Sequence, residues 1–190
     1  TVLRNPQRPT REREEAADAA WKQAQKSPED KAAVRATFKE MVWSASLDPA
    51  LRGKLYKLLA SDTDPESIED TRKLTRLMIP REPSREMELY LCQTAAAKGW
   101  TDCIPALIRS YSRPVPLMKD EDRAERIALI KLSGGTPLVE VVFGVFLNPP
   151  DEDPDSPAEF AARTRADAYD VLGRLDVSGA YRKRLLEDAT

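Results

Sequence analysis

The chain has 190 residues, with 30 Lys and Arg against 32 Asp and Glu, so its formal net charge is −2. This balance argues against a nucleic acid or an anionic membrane as the main partner, because both attract strongly basic surfaces. Histidine is absent and cysteine occurs twice, so the commonest general base is missing and a zinc site cannot be completed. We therefore expect no metal ion and no other cofactor.

The opening segment 1–10, TVLRNPQRPT, is polar and contains proline, which is typical both of a flexible tether and of a frayed terminus. We expect a flexible N-terminal tether at 1–10 and a single helical domain at 11–190. A secretory or lipoprotein signal before Thr1 would place the protein in the cell envelope, and without one we expect the cytoplasm. No apolar run approaches the roughly 18 residues of a spanning helix.

Helix start signals punctuate the first half of the chain. Thr10 is a candidate N-cap for a helix over residues 10–26. Ser27-Pro28, Asp48-Pro49 and Asp64-Pro65 each combine a capping side chain with a proline in the first helical turn, where the missing N–H costs nothing. We predict three further helices from these signals. The first two form an αα-hairpin, because the turn between them is short.

The centre of the chain contains a helix, a tight turn and a second helix. The first amphipathic helix ends at Gly99, where glycine provides a left-handed C-terminal cap. Asp102 or Thr101 then caps the second helix, which carries Pro105 in its first turn. The turn is so short that the two helices must be antiparallel neighbours.

The same pattern returns later, with a helix predicted over 120–132, a break at 133–135 and a new start at Thr136-Pro137. The segment 138–147, LVEVVFGVFL, is apolar on all sides and rich in β-branched residues, as buried strands are. No other stretch offers a partner strand, so we predict a helix. A helix that is apolar all round belongs in the middle of the protein.

Residues 148–157, NPPDEDPDSP, contain four prolines and four acids, which is too polar and too broken for any element. We predict a solvated acidic loop that is dispensable for folding. A helix from residue 158, a turn at 176–179 and a last helix form a third hairpin. The predicted fold class is all-α, built of stacked antiparallel helix hairpins.

Stacked hairpins with a proline early in the second helix resemble the HEAT-like α-solenoids, and AAAKGWTDCIPALIRSY is the most similar piece. The resemblance covers residues 28–190. In that family an Asp in the turn and a basic residue in the second helix form a ladder between repeats. The corresponding pairs in this chain are Asp48 with Lys54, Asp102 with Arg109, and Asp176 with Arg182, and the unit at Thr136 has neither member. The resemblance implies an irregular solenoid scaffold that binds other proteins.

Four residues near the central hairpin are candidates for a binding site: Trp100, Arg109, Tyr111 and Arg113. Tryptophan, tyrosine and arginine are the residue types that most often anchor protein interfaces. The alternative is that Trp100 closes the core at the turn and Tyr111 packs beneath it. The sequence leaves both interpretations open.

We expect a non-catalytic scaffold or protein-binding domain whose partner is another protein. One alternative is a helical enzyme, or enzyme accessory, with a pocket in the concave face. Another is a module that binds nucleic acid or lipid headgroups through basic residues gathered from several helices. The acidic groups 120–122 and 151–153 fit the start of a helix and a solvated loop better than paired catalytic acids or a Ca²⁺ loop.

Cys92 and Cys103 fall about five residues out of register across the predicted hairpin. At 1.5 Å per residue, added to the spacing of the helix axes, their α-carbons lie farther apart than the roughly 7 Å that a disulfide allows. We therefore expect two thiols per chain.

Overall fold

The computed structural model describes residues 2–150 and 157–188. These residues form ten α-helices and no strand, so the predicted all-α class is confirmed. The helices are α1 Thr10–Ala24, α2 Pro28–Trp43, α3 Pro49–Ala60, α4 Pro65–Met78, α5 Arg85–Lys98, α6 Ile104–Ser112, α7 Ala124–Leu132, α8 Leu138–Leu147, α9 Pro157–Leu175 and α10 Ala180–Asp188. Short 3-10 turns occupy Val2–Arg4, Ile79–Arg81, Thr101–Cys103 and Asp120–Asp122.

Three of the predicted start signals work as local capping bonds. In each case the backbone N–H of the residue three positions after the cap donates a hydrogen bond to the capping side chain. The acceptors are Ser27 Oγ at 3.3 Å, Asp48 Oδ1 at 3.1 Å and Asp64 Oδ1 at 3.0 Å. In each case a proline is the first helical residue. Thr10 differs from the prediction, because it is already helical and Pro9, which has no capping side chain, precedes it.

The starts of α6 and α7 also differ from the prediction. Neither Asp102 nor Thr101 caps α6, since both belong to the 3-10 turn that leads into it and the N-cap position falls on Cys103. The helix predicted over 120–132 is interrupted at Arg123, whose backbone is extended with φ −71° and ψ 129°. Arg123 leaves the helical conformation where its side chain is held by tertiary contacts, described below.

The chain forms two compact units, residues 1–94 and 95–190, and the boundary lies within α5. In the first unit α1, α2 and α3 pack against one another, so the predicted α2–α3 hairpin is present, and α4 packs against α3. Its core is built from large apolar side chains, chiefly Phe38, Met41, Val42, Leu51, Leu55 and Leu59.

The N-terminal segment makes contacts of its own within the first unit. The Val2–Arg4 turn packs against α1 and buries Leu3. Arg13 Nε donates a hydrogen bond to the Leu3 carbonyl at 3.0 Å. The flexibility that we expect of residues 1–10, and their role as a tether, stay predictions.

In the second unit α9 is the central helix and packs against both α6 and α8, whereas α7 packs chiefly against α6. The predicted pairing of α7 with α8 is therefore not the main contact of either helix. The helix at 138–147 is confirmed, but its predicted place in the middle is wrong. Only Val142 and Phe143 of α8 are buried, and Gly144 and Leu147 are exposed. α9 covers one side of α8, and Tyr181 and Arg184 of α10 lie against the Phe143 ring.

Two other predictions concern single segments. Cys92 and Cys103 are both buried thiols, as expected. Most of the acidic loop 148–157 lies outside the described residues, and its first residue, Asn148, is exposed.

Substitution by alanine should change the stability of the protein in opposite directions at two helical glycines. A Cβ on Gly53 of α3 would lie 2.3 Å from Cε2 of Tyr90, a ring that Lys57 Nζ also contacts at 3.8 Å from its centroid. Nothing lies within 4 Å of the Cβ position at Gly144 of α8. Alanine adds about 1 kcal/mol of helix propensity at either site, but overpacking typically costs 1–3 kcal/mol. We expect Gly53→Ala to lower the unfolding temperature and Gly144→Ala to raise it, measured by thermal denaturation. An increase with both variants would show that the Tyr90 ring moves aside freely.

Candidate functional site

Three of the four predicted binding residues lie together in the last turn of α6 and just beyond it. Tyr111 is fully buried, and Arg109 and Arg113 are partly buried. Trp100 is also buried, but it precedes the 3-10 turn at the other end of α6. The structure therefore groups Arg109, Tyr111 and Arg113 and separates them from Trp100. Their role in binding a partner stays a prediction, and the two aromatic residues have little surface left to offer.

The arginines of this group are engaged within their own unit. Arg109 Nε lies 3.2 Å from Asp167 Oδ2, and its guanidinium lies 4.8 Å from the centroid of the Phe160 ring. One terminal nitrogen of Arg113 donates to Ser110 Oγ at 2.8 Å. These contacts join the end of α6 to α9 and close its last turn.

Tyr111 is the centre of a cluster that the sequence analysis missed. The guanidinium groups of Arg123 and Arg174 lie 4.7 and 4.6 Å from the centroid of its ring. Arg123 donates to the Ser110 carbonyl at 3.0 Å and Arg174 donates to the Tyr111 carbonyl at 2.6 Å. The last carbonyls of a helix have no partner in the helix and carry partial negative charge, so cations are favoured there. No spacing in the sequence links these two arginines to Tyr111.

The hydroxyl of Tyr111 should lose its proton at a higher pH than an ordinary tyrosine. It donates a hydrogen bond to Asp120 Oδ2, and burial together with this carboxylate raises the pKa of Tyr111 to about 12. An unfolded tyrosine titrates near pH 10, so the native state holds this proton more tightly. The resulting stabilisation is complete below about pH 10 and is lost as the pH rises through 12. We expect the ultraviolet titration of tyrosinate to contain a component near pH 12 that Tyr111→Phe removes. If the titration curves of the wild type and of Tyr111→Phe superimposed after scaling for the number of tyrosines, this prediction would be contradicted.

Beyond α6 the chain turns sharply at Pro116 and Leu117. Leu117 has φ +66° and is the one residue other than glycine with a positive φ in the described part of the chain. A proline followed by a residue of positive φ is the pattern of a type II turn, whose second central position normally holds glycine or asparagine. The left-handed conformation costs an L-residue roughly 1–2 kcal/mol. Leu117 is fully exposed and Met118 is exposed as well. We call these two residues the Leu117–Met118 tip.

The loop that carries the tip is held at both ends. Its first residue, Arg113, is bonded to Ser110, and Asp120 at its far end accepts the hydrogen bond from Tyr111. Asp120 also lies 3.8 Å from Arg174. Pro114 and Pro116 restrict the backbone between these anchors, because the proline ring limits φ. The tip is therefore presented on a well-anchored base.

A groove lies between α2 and α4 in the first unit, with a volume of about 340 Å³. Lys31 and Arg35 of α2 bind Asp62 at 2.7 and 3.0 Å, and Lys39 binds Asp70 at 2.8 Å. Burial alone raises the pKa of Asp62, but the hydrogen bonds from Lys31 and from the Asp64 backbone outweigh it and hold that pKa below its ordinary value. The cations of this groove are thus neutralised by the chain itself.

The ladder pairs implied by the resemblance are only partly present. Arg182 Nε lies 3.8 Å from Asp176, and the Arg182 backbone N–H donates to the same carboxylate at 3.0 Å. Lys54, in contrast, binds Asp18 at 2.8 Å, and Asp48 caps its own helix. Arg109 is bound to Asp167. A regular ladder is not formed among these residues.

Comparison with protein-family models, with curated proteins and with solved structures finds no match to this chain. Within residues 2–150 and 157–188, no three or more carboxylates or thiols are arranged to hold a metal ion. The acidic group 151–153 lies outside that part of the chain. None of the described helices is both long and apolar enough to cross a membrane. Function must therefore be inferred from the surface of the protein itself.

Proposed function

We propose that this chain is a non-catalytic protein-binding domain and that the Leu117–Met118 tip is its anchor in an apolar pocket of a partner protein. The observation that carries the proposal is the backbone strain at Leu117. Its side chain is fully exposed, so no burial within the chain offsets the strain. Strained backbone and exposed apolar side chains concentrate at functional surfaces. An anchor that is already held in place loses little entropy on binding.

The other two functional hypotheses have less support. An enzyme needs a pocket with convergent titratable groups, and the charged groups of the α2–α4 groove are paired with one another. A nucleic-acid or lipid-headgroup module needs basic residues on one face. Near the tip the charges are mixed, because Lys119 is followed by the exposed acids Glu121 and Asp122.

We further propose that the helices form an irregular HEAT-like α-solenoid scaffold. The α2–α3 hairpin and the contact of Asp176 with Arg182 support this architecture. Small-angle X-ray scattering would test it, because a solenoid is more extended than a compact bundle of the same length. A radius of gyration equal to that of a compact 190-residue domain would argue against it.

Photocrosslinking tests the anchor directly. Met118→benzoylphenylalanine places a photoreactive group beside Leu117, and irradiation in cells of the native source should give an adduct heavier than the chain. Leu117→Asp should abolish the adduct. Leu117→Gly should also abolish it while stabilising the fold, since glycine relieves the positive φ. This variant therefore separates loss of binding from loss of folding.

Val177→Asp is the matched control, because Val177 is another almost fully exposed apolar residue in a turn of the same unit and has no positive φ. Its adduct yield should equal that of the parent. An adduct that persists in both Leu117 variants, or the absence of any adduct, would show that the tip is not an anchor.

A further inference from the structure

Four arginines are buried among the described residues, and one of them has no carboxylate partner there. The other three each bind a buried carboxylate: Arg35 binds Asp62 at 3.0 Å, Arg52 binds Glu82 at 2.6 Å and Arg123 binds Glu125 at 2.5 Å. Arg13 of α1 is 5% exposed and forms no ion pair with any carboxylate of residues 2–150 and 157–188. A buried guanidinium normally has an anion beside it, because the protein interior does not replace its lost hydration. Arg13 is therefore suited to an anionic ligand.

The guanidinium of Arg13 uses only half of one edge. Its Nε donates to the Leu3 carbonyl at 3.0 Å, whereas the neighbouring donor Nη2 is buried and has no hydrogen-bond partner. These two donors lie side by side and together match the two oxygens of a carboxylate. Arg123 shows the same edge in use, because its Nε and Nη2 both donate to Glu125 Oε1, at 3.1 and 2.5 Å. A carbonyl in this place leaves one buried donor unsatisfied, and a carboxylate would satisfy both.

The segment that covers Arg13 is lightly held. We call residues 2–4 the Leu3 turn. Leu3 is buried, whereas Val2 and Arg4 are exposed. Arg4 binds Glu40 of α2 at 2.8 Å, but the two side chains are 53% and 69% exposed, and ion pairs of this kind contribute little to stability. One leucine side chain and one hydrogen bond from Arg13 therefore hold the Leu3 turn in place.

Leu3 itself indicates which ligand would fit better. It buries its isobutyl side chain and presents its carbonyl oxygen to Arg13. A leucine at the C-terminus of a peptide keeps both features and carries a second oxygen on the same carbon, which can accept from Nη2. We propose that the first unit binds the C-terminal leucine and carboxylate of a partner protein at the site that the Leu3 turn occupies. This site does not involve the Leu117–Met118 tip, which belongs to the second unit.

The Leu3 turn is a built-in competitor of such a ligand. The apparent affinity of the wild type is reduced by the fraction of molecules in which the turn is released. Leu3→Gly removes the isobutyl group and should increase that fraction. The variant should therefore bind a leucine-terminated peptide more tightly than the wild type does.

Fluorescence anisotropy with a labelled peptide tests the site in the full chain. The probe is a Gly/Ser hexapeptide that ends in leucine, with either a free carboxylate or a carboxamide. Leu3→Gly should bind the acid roughly 10- to 100-fold more tightly than the amide, the range for one hydrogen bond to a charged group. Adding Arg13→Met should remove this preference. Adding Arg11→Met should leave it unchanged, because Arg11 is an exposed arginine of the same helix, paired with Glu15.

A measurement on the wild type covers the case in which Leu3→Gly does not fold. In nitrogen-15 spectra of arginine side chains, the Nε–H signal of Arg13 is identified as the one that Arg13→Met removes. The acid peptide at millimolar concentration should shift this signal, because the carboxylate replaces the Leu3 carbonyl as its acceptor. The amide should leave the signal in place.

Several results would overturn the inference. These are equal affinities of folded Leu3→Gly for acid and amide, a preference for the acid that survives Arg13→Met, and an Arg13 signal that the acid leaves unmoved in every folded chain. A glycine-ended acid that binds as tightly as the leucine-ended one would refute recognition of leucine. An amide peptide with an internal aspartate that binds as tightly would show that a side-chain carboxylate is the ligand instead. Crosslinking at the Leu117–Met118 tip is a separate readout, so either proposal can fail alone.

Discussion

Arg52→Met should lower the free energy of unfolding by about 3–5 kcal/mol, the range measured when one partner of a buried ion pair is removed. The guanidinium bridges α2, through the Val42 carbonyl, and the segment after α4, through Glu82. Methionine preserves the apolar stem but leaves the Glu82 carboxylate buried without this cation. Since a domain of this size is stable by only about 5–15 kcal/mol, urea denaturation should show a large fall in the midpoint.

The controls separate burial from charge. Lys39→Met removes the cation of the half-exposed pair with Asp70 and should cost no more than about 1 kcal/mol. The double variant Arg52→Met with Glu82→Met should recover much of the loss, because a buried ion pair can often be replaced by apolar residues of similar volume. A cost for Arg52→Met no larger than that for Lys39→Met would contradict the assigned burial.

Arg123→Met should destabilise the second unit by a similar 3–5 kcal/mol. Its side chain is 3% exposed and lies 2.5 Å from Glu125, whose side chain is 1% exposed. It also donates to the Ser110 carbonyl and lies against the Tyr111 ring. The substitution removes all three interactions and leaves Glu125 buried without this cation. Chemical denaturation followed by circular dichroism would measure the change.

Arg174→Met is the matched control for this prediction. Arg174 lies against the same ring and donates to the neighbouring carbonyl of α6, but its side chain is 36% exposed. We expect a cost of about 1–2 kcal/mol, the sum of one hydrogen bond from a charged group and a partly solvated cation–π contact. Equal costs for the two arginines would mean that burial does not decide the energy at this end of α6.

The end of α6 shows why residue type alone is a weak guide to binding sites. Arg109, Tyr111 and Arg113 are residue types typical of interfaces, yet their contacts lie within the unit. Buried tyrosines and arginines need hydrogen-bond partners wherever they occur, so the same types mark a satisfied interior cluster. In this protein the cluster at the end of α6 holds the base of the loop that exposes Leu117.

Leu117 and Trp43 had no such signal in the sequence. A leucine after a proline is ordinary in composition, and only its positive φ and full exposure single it out. Trp43, the last residue of α2, is 48% exposed, although it ends an amphipathic helix in which core and surface positions look alike from the sequence. Whether either side chain is covered depends on which element packs over it.

The sequence by itself determined the local features of this protein. Ser27, Asp48 and Asp64 cap the helices that they were predicted to cap, and Gly99 has the predicted left-handed φ of +67°. Each of these features depends on atoms only a few residues apart, so the local pattern suffices. The helix at 138–147 was predictable for a different reason: no other stretch of the sequence offers a partner strand, and the described residues contain no strand.

Only the tertiary structure decided how the helices are arranged and which residues meet. The partners of Arg52 and Arg174 lie 30 and 63 residues away in the chain, and α9 packs between helices that the sequence had paired differently. An apolar stripe shows that a helix face is buried but does not identify what covers it. That choice is made by the complementary shapes and charges of distant segments, which no local spacing records.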